Sequence, residues 1–226
     1  MTEYGIYYPA AISGKQLDIF LAKGWYRMGQ GIFTTNYVIQ EDKFFRVYWL
    51  RYNLHNLRMG KQARQVAKAC EKFDVQVKPL VITEELEALY TLYRSGLSFE
   101  PAESVKGWLF DLQLTNIYDS HLVEIRDNGL LIAAGIFDAG HKTIAGILNC
   151  YHPAYKKNSL GKFLMLIKIR HAINLRKQWY YPGYIVKDYP KFDYKLFVDK
   201  TAAEIFIPES NCWYPFSTTL MRESPV

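Results

Sequence analysis

Residues 121–151 read HLVEIRDNGLLIAAGIFDAGHKTIAGILNCY, three strand-length apolar segments joined by two turns. The first turn contains Asn128-Gly129, a pair that favours a tight hairpin, and the second contains Gly140. Apolar segments on either side of such turns are typical of paired antiparallel strands. The pattern therefore predicts an antiparallel meander whose strands cover 121–126, 130–137 and 142–151.

The segments on both sides of the meander predict helices. Thr83 is a good N-cap for a helix with acidic residues in its first turn, and a weaker helix follows at about 101–111. A basic loop comes after the meander, and Ser159 then caps the strongest helix, at about 160–177. One apolar stripe of that helix comprises Leu160, Phe163, Leu164, Ile167, His171 and Leu175. A strand is predicted next, at 179–186.

This order of elements resembles the N-acetyltransferase-like (GNAT) fold. The resemblance implies an α+β protein in which a mixed, largely antiparallel sheet is flanked by helices. In that fold, the loop and helix N-terminus after the third meander strand point backbone N–H groups at a ligand phosphate. The corresponding loop here, Tyr155–Gly161, has Gly161 as its single glycine and lacks the glycine-spaced signature of acetyl-CoA users. Use of acyl-CoA is therefore the alternative and not the first interpretation.

The first 78 residues predict a smaller unit. The pattern indicates helices at 16–23 and 60–72 and strands at 32–39 and 44–52. Between the first helix and the first strand, Gly24–Gly31 is punctuated by glycine and is predicted to form turns. Pro79 is the best candidate boundary. We therefore predict a small N-terminal α/β lobe at 1–78 and a GNAT-like catalytic domain at 79–226.

Composition excludes several classes of protein. Half of the 226 residues (50%) are apolar, which excludes wholesale disorder. No apolar run approaches the roughly 18 residues of a transmembrane helix, and the first residues lack the pattern of a secretory signal. The five histidines show no i, i+4 pairing, so no metal site is predicted. The three cysteines are widely spaced and are interpreted as small buried residues of a reduced, cytoplasmic protein: Cys70, Cys150 and Cys212.

Basic residues concentrate in two stretches of the chain, which has a net charge of +6. Residues 46–78 carry 8 basic and 2 acidic side chains, and residues 153–195 carry 10 and 2. If these stretches converge in space, they form a surface suited to phosphates; otherwise they are two solvated helix faces. The 18 Tyr, 13 Phe and 5 Trp fit either stacking partners or an aromatic core.

Several short motifs occur in an order that resembles the aminoacyl-tRNA–protein transferases, the family of the arginyl- and leucyl-transferases. Ser159-Leu160-Gly161 and a long helix precede Trp179–Val186 (WYYPGYIV), and Phe192–Lys195 (FDYK) follows. In the N-terminal half, Gly24–Gly29 (GWYRMG) and Leu57–Arg64 (LRMGKQAR) are similar to two further family motifs. The likeness spans most of the chain, and it depends on the order of the motifs more than on any one of them.

Three places depart from the family pattern, and one of them is Pro190–Lys195, where the Met and the first Lys of the family's Lys-Met-x-Tyr-Lys do not align cleanly. The family often has an N-terminal Cys-x-x-Cys, whereas this chain has Tyr4–Tyr7 there, so no iron–sulfur cluster can form on that motif. The family's Asp-Pro after the meander is His152-Pro153 in this chain.

The resemblance implies transfer of an arginyl or leucyl group from tRNA to the N-terminal amine of an acceptor protein, as in N-end rule protein degradation. Aminoacyl-tRNA would be the co-substrate and no other cofactor is expected. The protein is expected to be a cytoplasmic monomer without membrane attachment. The alternatives are a GNAT acyltransferase that uses acyl-CoA and a catalytically silent relative that binds RNA or protein.

Candidate site residues follow from these motifs. His152 is the candidate base because a histidine pKa of ~6.5 suits the task, although a loop histidine before proline can also simply pack. Tyr180 and Tyr181 are the other candidate catalytic residues, and alternation along the strand predicts Tyr184 on the face of Tyr180. Backbone N–H groups near 148–151 are expected to face the oxyanion. The residues expected to bind substrate are Tyr151, Ser159, Leu160, Gly161, Gly183, Tyr184, Tyr194, Lys195 and Arg58, and those expected to contact the tRNA backbone are Lys61, Arg64, Lys68, Lys156 and Lys157.

Overall fold

The computed structural model describes residues 4–40, 42–97, 100–110 and 115–223. The strands of these residues are β1 (Tyr4–Tyr7), β2 (Tyr26–Met28), β3 (Gly31–Thr35), β4 (Tyr37–Gln40), β5 (Lys43–Asn53), β6 (Asp74–Pro79), β7 (Ser120–Asp127), β8 (Leu130–Ala139), β9 (Thr143–Tyr151), β10 (Trp179–Val186), β11 (Ala203–Ile207) and β12 (Cys212–Pro215). The α-helices are α1 (Gly14–Ala22), α2 (Lys61–Ala69), α3 (Glu84–Arg94), α4 (Val105–Phe110), α5 (Leu160–Asn174) and α6 (Thr218–Glu223). Two 3₁₀ helices cover Pro153–Asn158 and Pro190–Leu196.

One mixed sheet organises the described residues. Its strand order is β12-β11-β5-β10-β9-β8-β7-β6, and β4 pairs with β5 beside this path. The β9–β10 pair is parallel, whereas the other pairs of this sheet are antiparallel. A separate three-stranded antiparallel sheet has the order β1-β3-β2. The predicted α+β architecture with a largely antiparallel sheet is confirmed, and so is the order of elements that suggested a GNAT-like fold.

Helices cover both faces of the main sheet. On one face, α5 buries Leu160, Leu164 and Ile169 against Tyr48 and other apolar residues of the sheet. The opposite face is covered in two parts. α3 and α4 pack on the meander, and α1 packs with the small sheet on β5 and β10.

Local sequence explains the best-predicted elements. Asn128 and Gly129 both have positive φ, 48° and 84°, which a tight two-residue hairpin turn requires, so the predicted hairpin is confirmed. Thr83 Oγ1 accepts a hydrogen bond from the backbone N–H of Leu86 at 3.2 Å and caps α3 as expected. α4 begins later than the predicted 101–111 segment, and Asp111 lies outside the described residues.

The N-terminal half differs from its prediction in two places. The predicted strand 32–39 is two strands, β3 and β4, which belong to different sheets. The break falls at Asn36, whose carbonyl accepts a hydrogen bond from the backbone N–H of Val47 at 2.8 Å. The predicted turn region Gly24–Gly31 contains β2, because Gly29, with φ of 59°, lets the chain fold back on itself as a hairpin with β3.

Other predictions need correction further along the chain. The long helix ends at Asn174, three residues early, because Arg176 takes a left-handed φ of 54° and Leu175 is exposed. Ser159 stands before α5 but is itself left-handed (φ 55°) and makes no side-chain capping bond. Cys212 is exposed and not buried, since it begins the edge strand β12.

The predicted division at residue 78 does not coincide with a break in the main sheet. β5 lies between β11 and β10, and β6 pairs with β7. Both strands come from the first 79 residues, so the two halves of the sequence share one sheet.

None of the helices that the structure describes has the length and apolar character needed to cross a lipid bilayer.

Candidate active site

Two neighbouring strands of the sheet separate near its centre. β9 and β10 pair over three residues of each strand, Thr143–Ala145 with Trp179–Tyr181. Beyond that point β9 remains paired with β8 and β10 with β5, so the two strands diverge. The divergence coincides with a register shift in β10 before Gly183, whose φ of 99° lies in the left-handed region that glycine tolerates.

A tyrosine from the small sheet bridges the strands where they part. The Tyr26 hydroxyl lies 2.6 Å from the Gly146 carbonyl of β9 and 2.8 Å from the Tyr181 carbonyl of β10. Burial raises the pKa of Tyr26 well above its ordinary value, so the hydroxyl keeps the proton that it donates to these carbonyls. Tyr26 therefore shares its one hydroxyl proton between a main-chain carbonyl of each strand at the divergence.

A cavity of about 390 Å³ lies at this divergence. Its aromatic lining consists of Tyr26, Phe33, Trp49, Trp108, Tyr180, Tyr184, Phe192 and Tyr194. Its polar and charged side chains, apart from the tyrosines, are Arg27, Asn149, Lys168 and Lys195. Among the described residues that line the cavity there is no Asp or Glu. The site is thus aromatic and cationic.

The aromatic wall is held by ring contacts. Trp49 stacks on Tyr26 with ring centroids 5.2 Å apart, and it meets Tyr184 and Phe33 edge-on at 5.3 and 5.5 Å. Each such contact adds roughly 0.5–1.5 kcal/mol beyond the area that it buries. Trp49 is 3% exposed, so this wall is set before any ligand enters.

Arg27 connects β2, the strand of Tyr26, to β7, β8 and α4 by hydrogen bonds. Its guanidinium donates to Asp138 Oδ1 of β8, to Ser120 Oγ of β7 and to the Leu109 carbonyl of α4, each at 2.9 Å. Both members of the Arg27–Asp138 ion pair are buried. Burial raises the pKa of Asp138, and the charge of Arg27 opposes that shift. Loss of either partner would leave a buried charge unpaired, at a cost of about 3–5 kcal/mol.

Lys168 reaches the cavity from α5. Its Nζ donates to the Ile136 carbonyl at 2.7 Å, to Asn149 Oδ1 at 2.8 Å and to the Leu148 carbonyl at 3.2 Å. The two carbonyls lie at the register shift between β8 and β9. Lys168 is 1% exposed, and burial lowers its pKa to about 7.

Lys195 stands on the other side, in the second 3₁₀ helix. Its Nζ donates to the Tyr184 carbonyl at 2.7 Å and lies 4.9 Å from the centre of the Phe192 ring. A Cβ atom on Gly183 would lie at ordinary contact distance, 3.6 Å, from this nitrogen. Burial lowers the pKa of Lys195 to about 7 as well.

The structure brings together five of the residues that the sequence selected. Lining the cavity are Tyr180, Gly183, Tyr184, Tyr194 and Lys195. Outside the lining are His152, Tyr181, Tyr151, Ser159, Leu160, Gly161 and Arg58. Leu160 is fully buried in the core, and the backbone N–H of exposed Arg58 donates to Asp199 Oδ2 at 2.7 Å.

His152 has a local structural role. Its Nδ1 accepts a hydrogen bond from the backbone N–H of Ala154 at 3.2 Å and caps the first 3₁₀ helix. Its ring also meets Tyr155 edge-on at 5.9 Å. These contacts hold the imidazole at the end of β9, beyond the residues of that strand that face the cavity.

The predicted alternation of the three tyrosines on β10 is wrong. Tyr180 pairs with Tyr52 and packs on the α5 side of the sheet, whereas Tyr184 pairs with Trp49 and packs on the opposite side together with Tyr181. The cause is the register shift before Gly183, which places two residues of β10, Tyr181 and Pro182, opposite one residue of β5, Arg51. Tyr180 and Tyr184 both reach the cavity because it opens through the sheet.

The two basic stretches converge beside α5. Cys70 Sγ, just after α2, donates to the Asn158 carbonyl at 3.4 Å, and the rings of Phe73 and Tyr155 lie 6.0 Å apart. The basic residues selected from the sequence on these elements are all exposed: Lys61, Arg64, Lys68, Lys156 and Lys157. These five exposed residues on neighbouring elements are called the basic surface.

Several cavity residues were not found from the sequence. Tyr26 and Trp49 carry no signal that separates them from other core aromatics. Lys168 does carry one, because it falls four residues after Leu164 and three before His171, in the middle of an apolar stripe. A lysine in such a position is buried, and a buried lysine is a site candidate.

Taken together, the geometry can enclose an uncharged side chain among rings, stack a base and attract an anionic group to Lys195. Two lysines with a pKa near 7 can also exchange protons at neutral pH.

Comparison with known proteins identifies the family. Aspartate/glutamate leucyltransferase of Xylella fastidiosa is 34% identical over 91 residues, which is 40% of this chain and 34% of that protein. The Leptospira interrogans protein of the same name is 25% identical over 215 residues, 90% of this chain and 79% of that protein.

Solved structures give weaker likenesses. L-PGS from Bacillus licheniformis has a TM-score of 0.48 at 13% identity, covering 70% of this chain and 51% of that one. A GCN5-related N-acetyltransferase from Anabaena variabilis has a TM-score of 0.45 at 10% identity, covering 90% and 43%. Both scores are below 0.5, so neither bears on function. A family model described as "Arginine-tRNA-protein transferase, C terminus" matches residues 51–201, more than half of the sequence, and the chain therefore belongs to that family.

Proposed function

We propose that this protein transfers a leucyl group from the 3′ ester of a tRNA to the N-terminal amine of an acceptor protein. Membership of the transferase family supports the reaction class. The observation that carries the proposal is the aromatic, cationic cavity at the divergence of β9 and β10, which has room for an aminoacyl ester.

The reaction depends mainly on how the aminoacyl ester and the acceptor amine are positioned. The ester is already activated, and an α-amine with a pKa of ~8 is partly neutral at pH 7. Holding ester and amine in one cavity removes much of the barrier to their encounter. Tyr180 lines the cavity, and burial raises the pKa of its hydroxyl, which therefore stays protonated and donates to the departing ribose oxygen. His152 and Tyr181 have no part in this scheme because they lie outside the cavity.

The lining favours leucyl over arginyl. An arginyl guanidinium entering the cavity would meet Lys168 and Lys195 and, among the described lining residues, no carboxylate. Burying such a cation without a partner costs several kcal/mol, whereas a leucyl side chain gains from contact with the rings. The names of the relatives, which are leucyltransferases, agree with this choice.

Lys195 is proposed to select the acceptor. A carboxylate at the first residue of the acceptor can pair with Lys195 Nζ while the neighbouring amine faces the ester. This role agrees with acceptors that begin with Asp or Glu, the residues in the names of the relatives.

The basic surface is proposed to hold the tRNA backbone. Exposed lysines and arginines contact phosphates without reading sequence. Ser159, Leu160 and Gly161, at the N-terminus of α5, follow the 3₁₀ helix of Lys156 and Lys157, and Tyr151 ends β9 just before it; the acceptor end of the tRNA is proposed to pass along this segment. We expect a monomer acting in the cytoplasm.

A transfer assay tests the proposal. Labelled leucyl-tRNA and arginyl-tRNA are each offered with peptides that begin with Asp, Glu, Arg, Lys or Met. Label should move from leucyl-tRNA to the Asp and Glu peptides. Binding of tRNA without transfer would favour the silent relative, and binding of acetyl-CoA without binding of tRNA would favour the acyltransferase.

A further inference from the structure

Asn149 is a polar side chain of the cavity wall that the scheme above does not use. It lies on β9 opposite Gly135 of β8, and it lines the cavity. A Cβ atom on Gly135 would come within 3.0 Å of Asn149 Oδ1 and within 3.0 Å of Lys168 Cε. The glycine therefore leaves the space in which these two side chains meet.

Lys168 determines which way the Asn149 amide faces. Lys168 Nζ donates to Asn149 Oδ1 at 2.8 Å, and the protonated form of Lys168 holds the amide this way round because an ammonium group donates hydrogen bonds and cannot accept them. The Nδ2 group is then fixed on the other side. The three acceptors around Lys168 match the three N–H bonds of an ammonium group, which makes this orientation a stable one.

The Nδ2 group retains donor capacity. It carries two N–H bonds, and the acceptor that the described residues offer is the Gly161 carbonyl at 3.4 Å. A well-formed N–H···O hydrogen bond has a donor–acceptor distance of about 2.7–3.2 Å, so the bond to the Gly161 carbonyl is long. A held amide with an under-used donor, on the wall of an aromatic cavity, is suited to a substrate oxygen.

We infer that Asn149 Nδ2 donates a hydrogen bond to the ester carbonyl oxygen of the aminoacyl-tRNA, and that Lys168 is the positioning residue that holds Asn149 for this task. This inference rests on the proposed function. A donor fixed in advance stabilises the negative charge that develops on this oxygen without having to reorganise. When Lys168 is protonated, its charge in hydrogen-bond contact with Oδ1 strengthens Nδ2 as a donor.

The chemical step is a simple acyl transfer. The acceptor nitrogen forms a bond to the ester carbon, and the π electron pair of the carbonyl moves onto its oxygen, where Asn149 Nδ2 meets it. The carbonyl then reforms, and the bond to the ribose 3′ oxygen breaks with its electron pair on that oxygen. One proton leaves the nitrogen and one is gained by the ribose oxygen, so no further reactant is needed.

Substitution of Asn149 separates its donor role from its packing role. Asn149→Asp keeps the size of the side chain and an oxygen for Lys168 but removes the N–H donor. We expect kcat for leucyl transfer to fall about 100-fold, with KM for leucyl-tRNA changed by less than about threefold. Asn149→Leu, similar in size and without charge, should give the same loss and serves if the first variant fails to fold, which circular dichroism detects.

A double-mutant cycle tests the positioning role of Lys168. Lys168→Met should lower kcat in the wild-type background and have almost no further effect in the Asn149→Leu background, because its action passes through Asn149. Lys15→Met, an exposed change on α1, is the matched control and should leave kcat unchanged.

The outcomes separate the two hypotheses. Transfer by the wild type with full kcat in Asn149→Asp and Asn149→Leu would overturn the inference alone. Independent, multiplying effects of Lys168→Met and Asn149→Leu would overturn the positioning role. If the wild type transfers no label, the proposed function fails, and this inference fails with it.

Discussion

The lysines of the cavity and those of the basic surface carry the same side chain in opposite surroundings. Lys168 and Lys195 donate to carbonyl groups within the fold, and burial lowers the pKa of each to about 7. Lys61, Lys68 and Lys156 face solvent. The first pair is therefore suited to short-range tasks at one substrate group, and the second group to long-range attraction of a polyanion that salt weakens.

The difference shows that a count of basic residues says little about what they do. Net charge predicted an anionic partner, and the exposed lysines fit that prediction. The two cavity lysines are expected to add a pH dependence and a selectivity that charge counting does not reveal. Four variants test whether the cavity residues and the exposed residues have these different roles, and they are described from the largest expected effect to the smallest.

Removal of the Lys195 charge should have the largest effect. Lys195→Met keeps most of the side chain and should lower kcat/KM for a peptide that begins with Asp by about 10- to 100-fold, since a charge-assisted hydrogen bond is lost. A peptide that begins with Asn should be affected far less. Steady-state transfer from leucyl-tRNA to both peptides measures the ratio.

The pKa of Lys195 also predicts how the preference for an acceptor that begins with Asp depends on pH. With a pKa of about 7, Lys195 is charged at pH 6 and mostly neutral at pH 8, so the wild-type preference for Asp over Asn should decline across this range. The preference of Lys195→Met should not change with pH. A wild-type preference that persists unchanged at pH 8 would argue against the role of Lys195.

Lys168 should make stability depend on pH. Its folded pKa of about 7 lies below the ordinary 10.5, so the unfolded chain binds more protons between these values, and stability rises with pH in that window. From pH 7 to pH 9, the free energy of unfolding of the wild type should rise by about 2 kcal/mol relative to Lys168→Met. Urea unfolding at both pH values measures it.

The exposed variant Lys15→Met provides the comparison for this experiment. Its free energy of unfolding should follow that of the wild type at both pH values. An equal pH response in Lys168→Met and the wild type would mean that Lys168 is charged throughout.

Neutralising part of the basic surface should have a smaller effect, and one that depends on salt. Lys156→Gln combined with Lys157→Gln should weaken tRNA binding severalfold and reduce the slope of log affinity against log salt by about 1–2, one counterion for each lost contact. Filter binding over a range of salt concentrations tests this. A slope identical to that of the wild type would remove these residues from the interface.

Substitution of His152 should have the smallest effect. His152→Ala removes the cap on Ala154 but no group of the cavity, so kcat should fall by less than about threefold. The sequence predicted a sharp loss, and a fall of 100-fold or more would restore His152 as the base.

Local patterns predicted the elements that depend on neighbouring residues. The Asn128-Gly129 hairpin, the Thr83 cap and the position of β10 all follow from short-range chemistry. Of the cavity, the sequence found five residues because they belong to two locally recognisable motifs, Trp179–Val186 and Phe192–Lys195: Tyr180, Gly183, Tyr184, Tyr194 and Lys195.

The remaining features depend on how strands meet. Alternation failed on β10 because a register shift, which only the pairing with β5 produces, moves Tyr184 to the other face. Tyr26 of β2 and Trp49 of β5 line the cavity because the small sheet packs on the main sheet near β9 and β10. The residues next to them in the sequence do not predict this packing. His152 was chosen by its place in a motif, but the end of β9 carries it past the divergence.

The Tyr26 hydroxyl between β9 and β10 has a consequence for chimaeric proteins. The family match begins at residue 51, whereas Tyr26 and Arg27 precede it. A fragment that starts at residue 51 would leave the Gly146 and Tyr181 carbonyls without this donor and Asp138 without its cation. Exchange of the matched region between relatives should therefore succeed only when the segment that precedes the match is exchanged with it, because that segment supplies Tyr26 and Arg27, which hydrogen-bond to strands of the matched region.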